Sequence, residues 1–189
     1  MQIYKKLTWL IIGILSIINF SSTINAADKK ELVFVTIATE EMAVVNKRWQ
    51  PAIKYLSDQM GMKVKFQTTT SYAATVEALL GNHADFAMLG PKIYLVARKK
   101  SKKIEPIVGT GRPPNHFLKV ACACYHGRLI TKKGSKFTTI GSLKGAVLAL
   151  TDPGSTSGNA LPRALFPEQV GGTGLDEYFS EIFYAGSHD

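Results

Sequence analysis

"AVLALTDPGSTSGNALPRALF" runs from Ala146 to Phe166. Its opening, "AVLALTD", reads as a buried strand, and "NALPRALF" reads as a helix. Between them lie two glycines, Gly154 and Gly158, enclosing Ser155, Thr156 and Ser157. No acid, base or thiol interrupts the triplet. Strand, small-residue loop and helix together present unpaired backbone N–H groups and a partial positive charge at the loop. Glycine lets a ligand approach the backbone, and hydroxyls add neutral donors, a set suited to a tetrahedral oxyanion. Plain N-capping by Ser155 or Ser157 explains the same residues. A nucleophile elbow fits less well, because G-x-S-x-G needs serine where Thr156 stands. A phosphate-binding P-loop needs a lysine after the second glycine, and Asn159 is there instead.

Outward from this stretch, strands and helices alternate. "ELVFVTI" (Glu31 to Ile37) reads as a buried strand, and "NKRWQPAIKYLSDQMG" as a helix stopped by Gly61, with Pro51 best placed in its first turn. "MKVKFQT" is a second strand, and "SYAATVEALLGN" a helix from Ser71 to Gly81. "ADFAMLG" is a third strand, "PKIYLVARKK" a helix opened by Pro91, and "KIEPIVG" a fourth strand. "FLKVACACYHGRLIT" reads as a long extended crossover, and "SEIFYAGSHD" as a last strand entering a loop. The alternation predicts an α/β fold around mainly parallel sheet.

The chain has 189 residues, 46% hydrophobic and 20% charged, which is globular composition. Its formal charge is +9, and +7 without Lys5 and Lys6, so long-range attraction favours anionic partners. The first residues read as a signal peptide: basic "MQIYKK", apolar Leu7 to Phe20, then "SSTINA" with a cleavage site after Ala26. The apolar run is shorter than the roughly 20 residues of a membrane span. "RKKSKK" (Arg98 to Lys103) suits the carboxyl end of a helix and lacks interleaved aromatics, so no nucleic-acid partner is expected. Cys122 and Cys124 lie two apart in a run read as a strand. Both then point to one face, a bridge would distort that geometry, and two small buried or half-buried residues are expected. No metal or other cofactor is expected. His83, His116 and His126 stand in no motif and read as surface or loop residues.

With "DPGSTSG" followed by "GSHD", the chain resembles the periplasmic substrate-binding proteins of phosphonate, phosphite and phosphate ABC transporters. "RWQPAIKYLSDQMGMKVKF", "TTSYAATVEALLGNHADFAMLGP" and "LITKKGSKFTTIGSLKGAVLALTDPGSTSG" are similar to successive parts of that family, in order, from about Glu31 to the last residue. The resemblance implies an α/β, two-lobed type II periplasmic-binding-protein fold, a Venus flytrap. It divides the chain into a signal peptide (1–26), a first lobe (27–115), and a crossover with a partial second lobe (116–189). It implies ligand contacts from Ser155, Thr156 and Ser157, from Tyr72 and Tyr125, and from His188. Members of the family continue well past "GSHD", so the second lobe is expected to be incomplete here.

The function implied is capture of a small phosphorus oxyanion in the periplasm and delivery to a permease in the inner membrane, without catalysis. Two rivals belong to other classes: a hydrolase with a Ser or Thr nucleophile in the "GSTSG" loop, and a ligand-sensing periplasmic domain. The hydrolase needs a base and an orienting acid, and adjacent His188 and Asp189 fit no familiar triad order.

Overall fold

The computed structural model describes residues 31–188. Residues 1–30, which include the expected signal peptide (1–26), and Asp189 lie outside the described residues. Strand β1 (Glu31–Ile37) is central in a parallel three-stranded sheet, with β2 (Lys63–Thr69) on one side and β3 (Phe86–Met88) on the other. Helix α1 (Met42–Met60) links β1 to β2, α2 (Tyr72–Leu80) links β2 to β3, and α3 (Pro91–Lys100) follows β3. Further on, β4 (Val147–Leu150) and β5 (Glu181–Tyr184) form a second parallel sheet. A wide π-type turn (Thr156–Ala160), α4 (Leu161–Gln169) and the short α5 (Leu175–Tyr178) connect them.

Each sheet has its own core. Ile37, Tyr72, Val76, Ile93 and Ala97 are buried between β1, α2 and α3. Leu148, Leu150, Phe166, Leu175, Tyr178 and Phe179 are buried around β4, α4 and α5. In the second core Phe166 meets Tyr178 edge-on at 5.0 Å and Phe179 at 5.4 Å. Burial of each such side chain stabilises by about 1.5–3 kcal/mol, so these faces hold the helices to their sheets.

Local rules set most helix ends. The Ser71 hydroxyl accepts the Ala74 N–H at the start of α2, and Gly61 closes α1 in the left-handed conformation. Pro91 opens α3, and Arg98, Lys99 and Lys100 occupy its last turn. One expectation fails within α1. The helix begins at Met42, so Pro51 lies in its interior rather than its first turn. Tertiary contacts hold the extra turns. Val45 is buried, Trp49 packs on Phe34 and Phe66 with ring centres 5.1 and 5.9 Å away, and Arg48 donates to both oxygens of Glu40.

Two other expectations are corrected. Residues 103–109 form no strand: Ile107 and Val108 are exposed, and no neighbouring backbone completes a ladder. The run from Phe117 to Thr131 is not a regular strand either. It has one isolated antiparallel bridge, Arg112 with Cys122. A bend at Ala123 draws Cys122 and Cys124 to a Cα separation of 5.1 Å, and the two are joined as a disulfide. Two residues of extended strand would span roughly 6.6 Å. The bend removes the geometry on which unpaired cysteines were expected.

Candidate functional site

Parallel pairing sends the carboxyl ends of neighbouring strands in one direction, and loops there are natural ligand sites in open α/β sheets. β2 ends at Thr69 and leads through the Ser71 cap into Tyr72, the first residue of α2. β3 leads through Gly90 into the first turn of α3. β4 ends at Leu150 and leads into the hydroxyl triplet. β5 stays in register past its end: Ala185 N–H donates to Leu150 O at 2.8 Å, and Gly186 N–H to Thr151 O at 2.7 Å. That register carries Ser187 and His188 to the loop holding the triplet.

The triplet is tightly built. Ser155 is 1% exposed, and its Oγ accepts the Gly158 N–H at 3.0 Å, so the residue is an N-cap. Capping uses an oxygen lone pair and leaves the hydroxyl hydrogen free to donate. Thr156 Oγ1 accepts the Lys92 N–H at 2.9 Å, which sets the amino end of α3 against this loop. It too keeps its hydrogen. Lys92 Nζ donates to Pro153 O across the same junction. Close approach explains both glycines: a Cβ on Gly154 would lie 2.5 Å from Tyr72 Cβ, and one on Gly158 would collide with Thr151 Oγ1.

Two supporting residues escaped the sequence reading. Asp152 Oδ1 accepts the Gly154 N–H at 2.6 Å and fixes the turn into the triplet. Buried Asn159 donates to Pro153 O, and its Oδ1 accepts from Arg163 Nε and the Tyr184 hydroxyl. An Asp two residues before a glycine was the available signal for the first. Nothing local marks the second, whose partners come from α4 and β5.

Tyr72 does two things. Its ring is buried in the first core, while its hydroxyl lies 3.1 Å from His188 Nε2. Burial pushes the phenol above its ordinary pKa; Asp152 and Tyr125 add to the rise and the Ser155 hydroxyl opposes it. The phenol is thereby kept protonated and able to donate. His188 is exposed, as is Tyr125.

Ser157 is half-buried and shares with His188 the wall of a cleft of about 690 Å³ that also includes Thr151, Arg128 and Lys132. Gly127 rests on Ser157, where an added Cβ would meet the Ser157 carbonyl at 3.3 Å. Thus Tyr72, Ser155, Ser157 and His188 converge. Thr156 turns its hydroxyl toward α3, and the ring of Tyr125 lines a neighbouring pocket. His83 and His116 are exposed away from these residues, whereas exposed His126 lines both cavities. Among the described residues no cluster of three His, Cys, Asp or Glu is placed to hold a metal ion.

The model of a protein family described as the periplasmic substrate-binding proteins of phosphonate ABC transporters matches residues 34–189. The phosphate-import protein PhnD of Mycolicibacterium smegmatis is 28% identical over 167 residues, covering 84% of this chain and 49% of the relative. The binding-protein component of a Pseudomonas aeruginosa phosphonate ABC transporter superposes with a TM-score of 0.64 at 22% identity, over 85% of this chain and 52% of that one. PhnD1 of Prochlorococcus marinus, solved with methylphosphonate, gives 0.63 at 21% identity, over 84% of this chain and 57% of that one. These structures establish the fold as the two-lobed type II periplasmic-binding-protein class. The chain spans about half the length of the relatives it matches.

Proposed function

Since the chain belongs to the family of periplasmic substrate-binding proteins of phosphonate ABC transporters, we propose that it captures phosphonate, phosphite or phosphate in the periplasm and delivers it to an inner-membrane permease. The observation that carries this reading is the convergence of Tyr72, Ser155 and His188 where strand ends and helix starts meet. Ser155 and Thr156 hydroxyls, the Tyr72 phenol and the His188 ring supply donors to oxyanion oxygens without a lysine or arginine. Ser157 and Tyr125 complete the grip. The M. smegmatis relative is a phosphate importer and the P. marinus one holds methylphosphonate, which supports a phosphorus oxyanion. The lobes divide near residue 115, with Tyr72 on the first and the triplet and His188 on the second. Residues 1–26 direct export.

Binding is favoured over hydrolysis by a specific contact. His188 Nε2 is engaged by the Tyr72 hydroxyl at 3.1 Å rather than by a serine of the triplet. The test is a thermal melt with and without methylphosphonate, phosphite and phosphate. A ligand at about 100 times its Kd adds roughly 2.7 kcal/mol of stability. A shift with one of the three, without turnover, supports the reading and names the anion. No shift with any of them refutes it.

A further inference from the structure

From Pro106 to Thr151 the chain contains no aspartate or glutamate, yet it contains seven lysines and arginines. Two of the seven, Arg112 and Arg128, line a pocket of about 240 Å³ together with Asn115, Phe117, Tyr125 and His126. Neither arginine has an ion-pair partner among the described residues, and neither guanidinium makes a hydrogen bond there. Each is instead laid over an aromatic ring: Arg128 lies 4.1 Å from the centre of Phe117, and Arg112 lies 5.8 Å from the centre of Tyr125. Stacking holds a guanidinium while leaving its in-plane N–H edge free, and that edge matches carboxylate and phosphoryl oxygens.

The walls are also fixed in advance. Arg112 and Cys122 exchange backbone hydrogen bonds at 2.8 and 3.2 Å, and the Cys122–Cys124 disulfide leads directly into Tyr125. Asn115 Oδ1 accepts the N–H groups of Phe117 and Leu118 at 2.9 and 3.0 Å, which pins the ring beneath Arg128. A polar pocket assembled before binding loses less on ordering. Tyr125 joins this pocket to the oxyanion grip, since the ring under Arg112 belongs to the phenol that acts on Tyr72. Arg128 also lines the cleft that reaches Ser157 and His188, and among the described residues no carboxylate lines either cavity.

We propose that the Arg112–Arg128 pocket is a second anion subsite, which takes a carboxylate carried on the organic arm of a phosphonate. This rests on the reading of the triplet as the grip for the phosphorus end. The two acidic ends of one ligand then lie on either side of Tyr125, and methylphosphonate occupies only the first.

Calorimetry with methylphosphonate and 3-phosphonopropionate tests this on the wild-type protein and on Arg112→Gln/Arg128→Gln. The wild type should bind 3-phosphonopropionate at least tenfold more tightly than methylphosphonate. The double variant should lose that preference, binding the two ligands within about threefold of each other. Arg112→Lys/Arg128→Lys, which keeps charge but not the planar fork, should retain a reduced preference. Binding of methylphosphonate with no preference for the two-acid ligand in the wild type overturns the subsite alone. A preference undiminished in the Gln variant does the same. Failure of the wild type to bind methylphosphonate overturns the grip and the subsite with it.

Discussion

Ser155 and Ser157 flank one threonine, yet the structure gives them different work, and paired alanine substitutions separate the roles. Ser155 is buried and its Oγ accepts the Gly158 N–H at 3.0 Å. Ser155→Ala removes an N-cap, which costs about 1 kcal/mol of folding stability. Space for water is scarce around a residue 1% exposed, so the Gly158 N–H is left unpaired and the loss should lie toward the upper end of the capping range, ~2 kcal/mol. If the same hydroxyl donates to a phosphonate oxygen, affinity falls too. A hydrogen bond to a charged group is worth about 1.5–3 kcal/mol, or roughly ten- to a hundredfold in Kd. Ser157 is half-buried on the cleft wall and makes no cap bond. Ser157→Ala should therefore change stability by less than about 0.5 kcal/mol while weakening methylphosphonate binding about tenfold. Urea unfolding measures the first quantity for each variant, and titration calorimetry the second. If Ser157→Ala binds like the wild type, Ser157 is no part of the grip; if Ser155→Ala does so as well, the triplet is a structural cap and not an anion site.

Gly154→Ala should destabilise by about 1–3 kcal/mol, because its Cβ would fall 2.5 Å from Tyr72 Cβ, an atom too near the α2 backbone to move aside; denaturant unfolding unchanged from wild type would show that the contact does not form. Tyr72→Phe should flatten the alkaline stability profile. The folded state raises the Tyr72 pKa, so its stabilisation is complete below the unfolded value of about 10 and is lost as pH rises through the folded value. Urea midpoints that fall equally for both proteins above about pH 10 would contradict the burial of that phenol. The Cys122–Cys124 bridge should leave no titratable thiol in the native protein, and mass spectrometry should find the intact chain two hydrogen atoms lighter than its reduced form. Closing so short a loop limits the entropy gain to about 1.5 kcal/mol, so reduction should lower the unfolding free energy by no more than that.

The first sheet was legible because its rules are local. Alternating or β-branched runs gave β1, β2 and β3, Ser71 and Gly81 bounded α2, and Pro91 opened α3. Two of the failures share one physical cause. Residues 103–109 have strand composition, but a strand exists only if a neighbour completes its hydrogen bonds, and composition does not report the neighbour. The same holds for Cys122 and Cys124, whose pairing follows from a bend at Ala123 that a run of apolar residues does not announce. Pro51 inside α1 is the opposite case, where packing of Trp49 and Val45 outweighs a local rule. At the candidate site the triplet could be read directly, since strand, loop and helix are contiguous. Tyr72 and His188 are 116 residues apart and meet only through folding, so residue type and spacing alone did not link them. Their place came through resemblance to whole ordered phrases. The contacts of Asn159 and the free guanidiniums of Arg112 and Arg128 came only from geometry.

Capping and anion capture need not compete, because they would use different parts of one hydroxyl. The cap takes a lone pair on Ser155, and a bound anion would take its hydrogen. The same division applies to Thr156, which accepts from Lys92 at the start of α3. Each oxygen is thus oriented by the protein before a ligand arrives. The consequence is thermodynamic. Tyr72 is rooted in the core of the first sheet, whereas Ser155 and His188 are carried by loops of the second. An anion held by all three ties one sheet to the other, so its binding free energy adds to the stability of their junction rather than to either core alone. Ligand-dependent protection should therefore concentrate in backbone amides at that junction, those of Lys92, Gly154 and Gly186, more than in β1 or the α4 core. Hydrogen exchange with and without methylphosphonate reads this directly, and uniform protection across both sheets would mean that the anion does not bridge them.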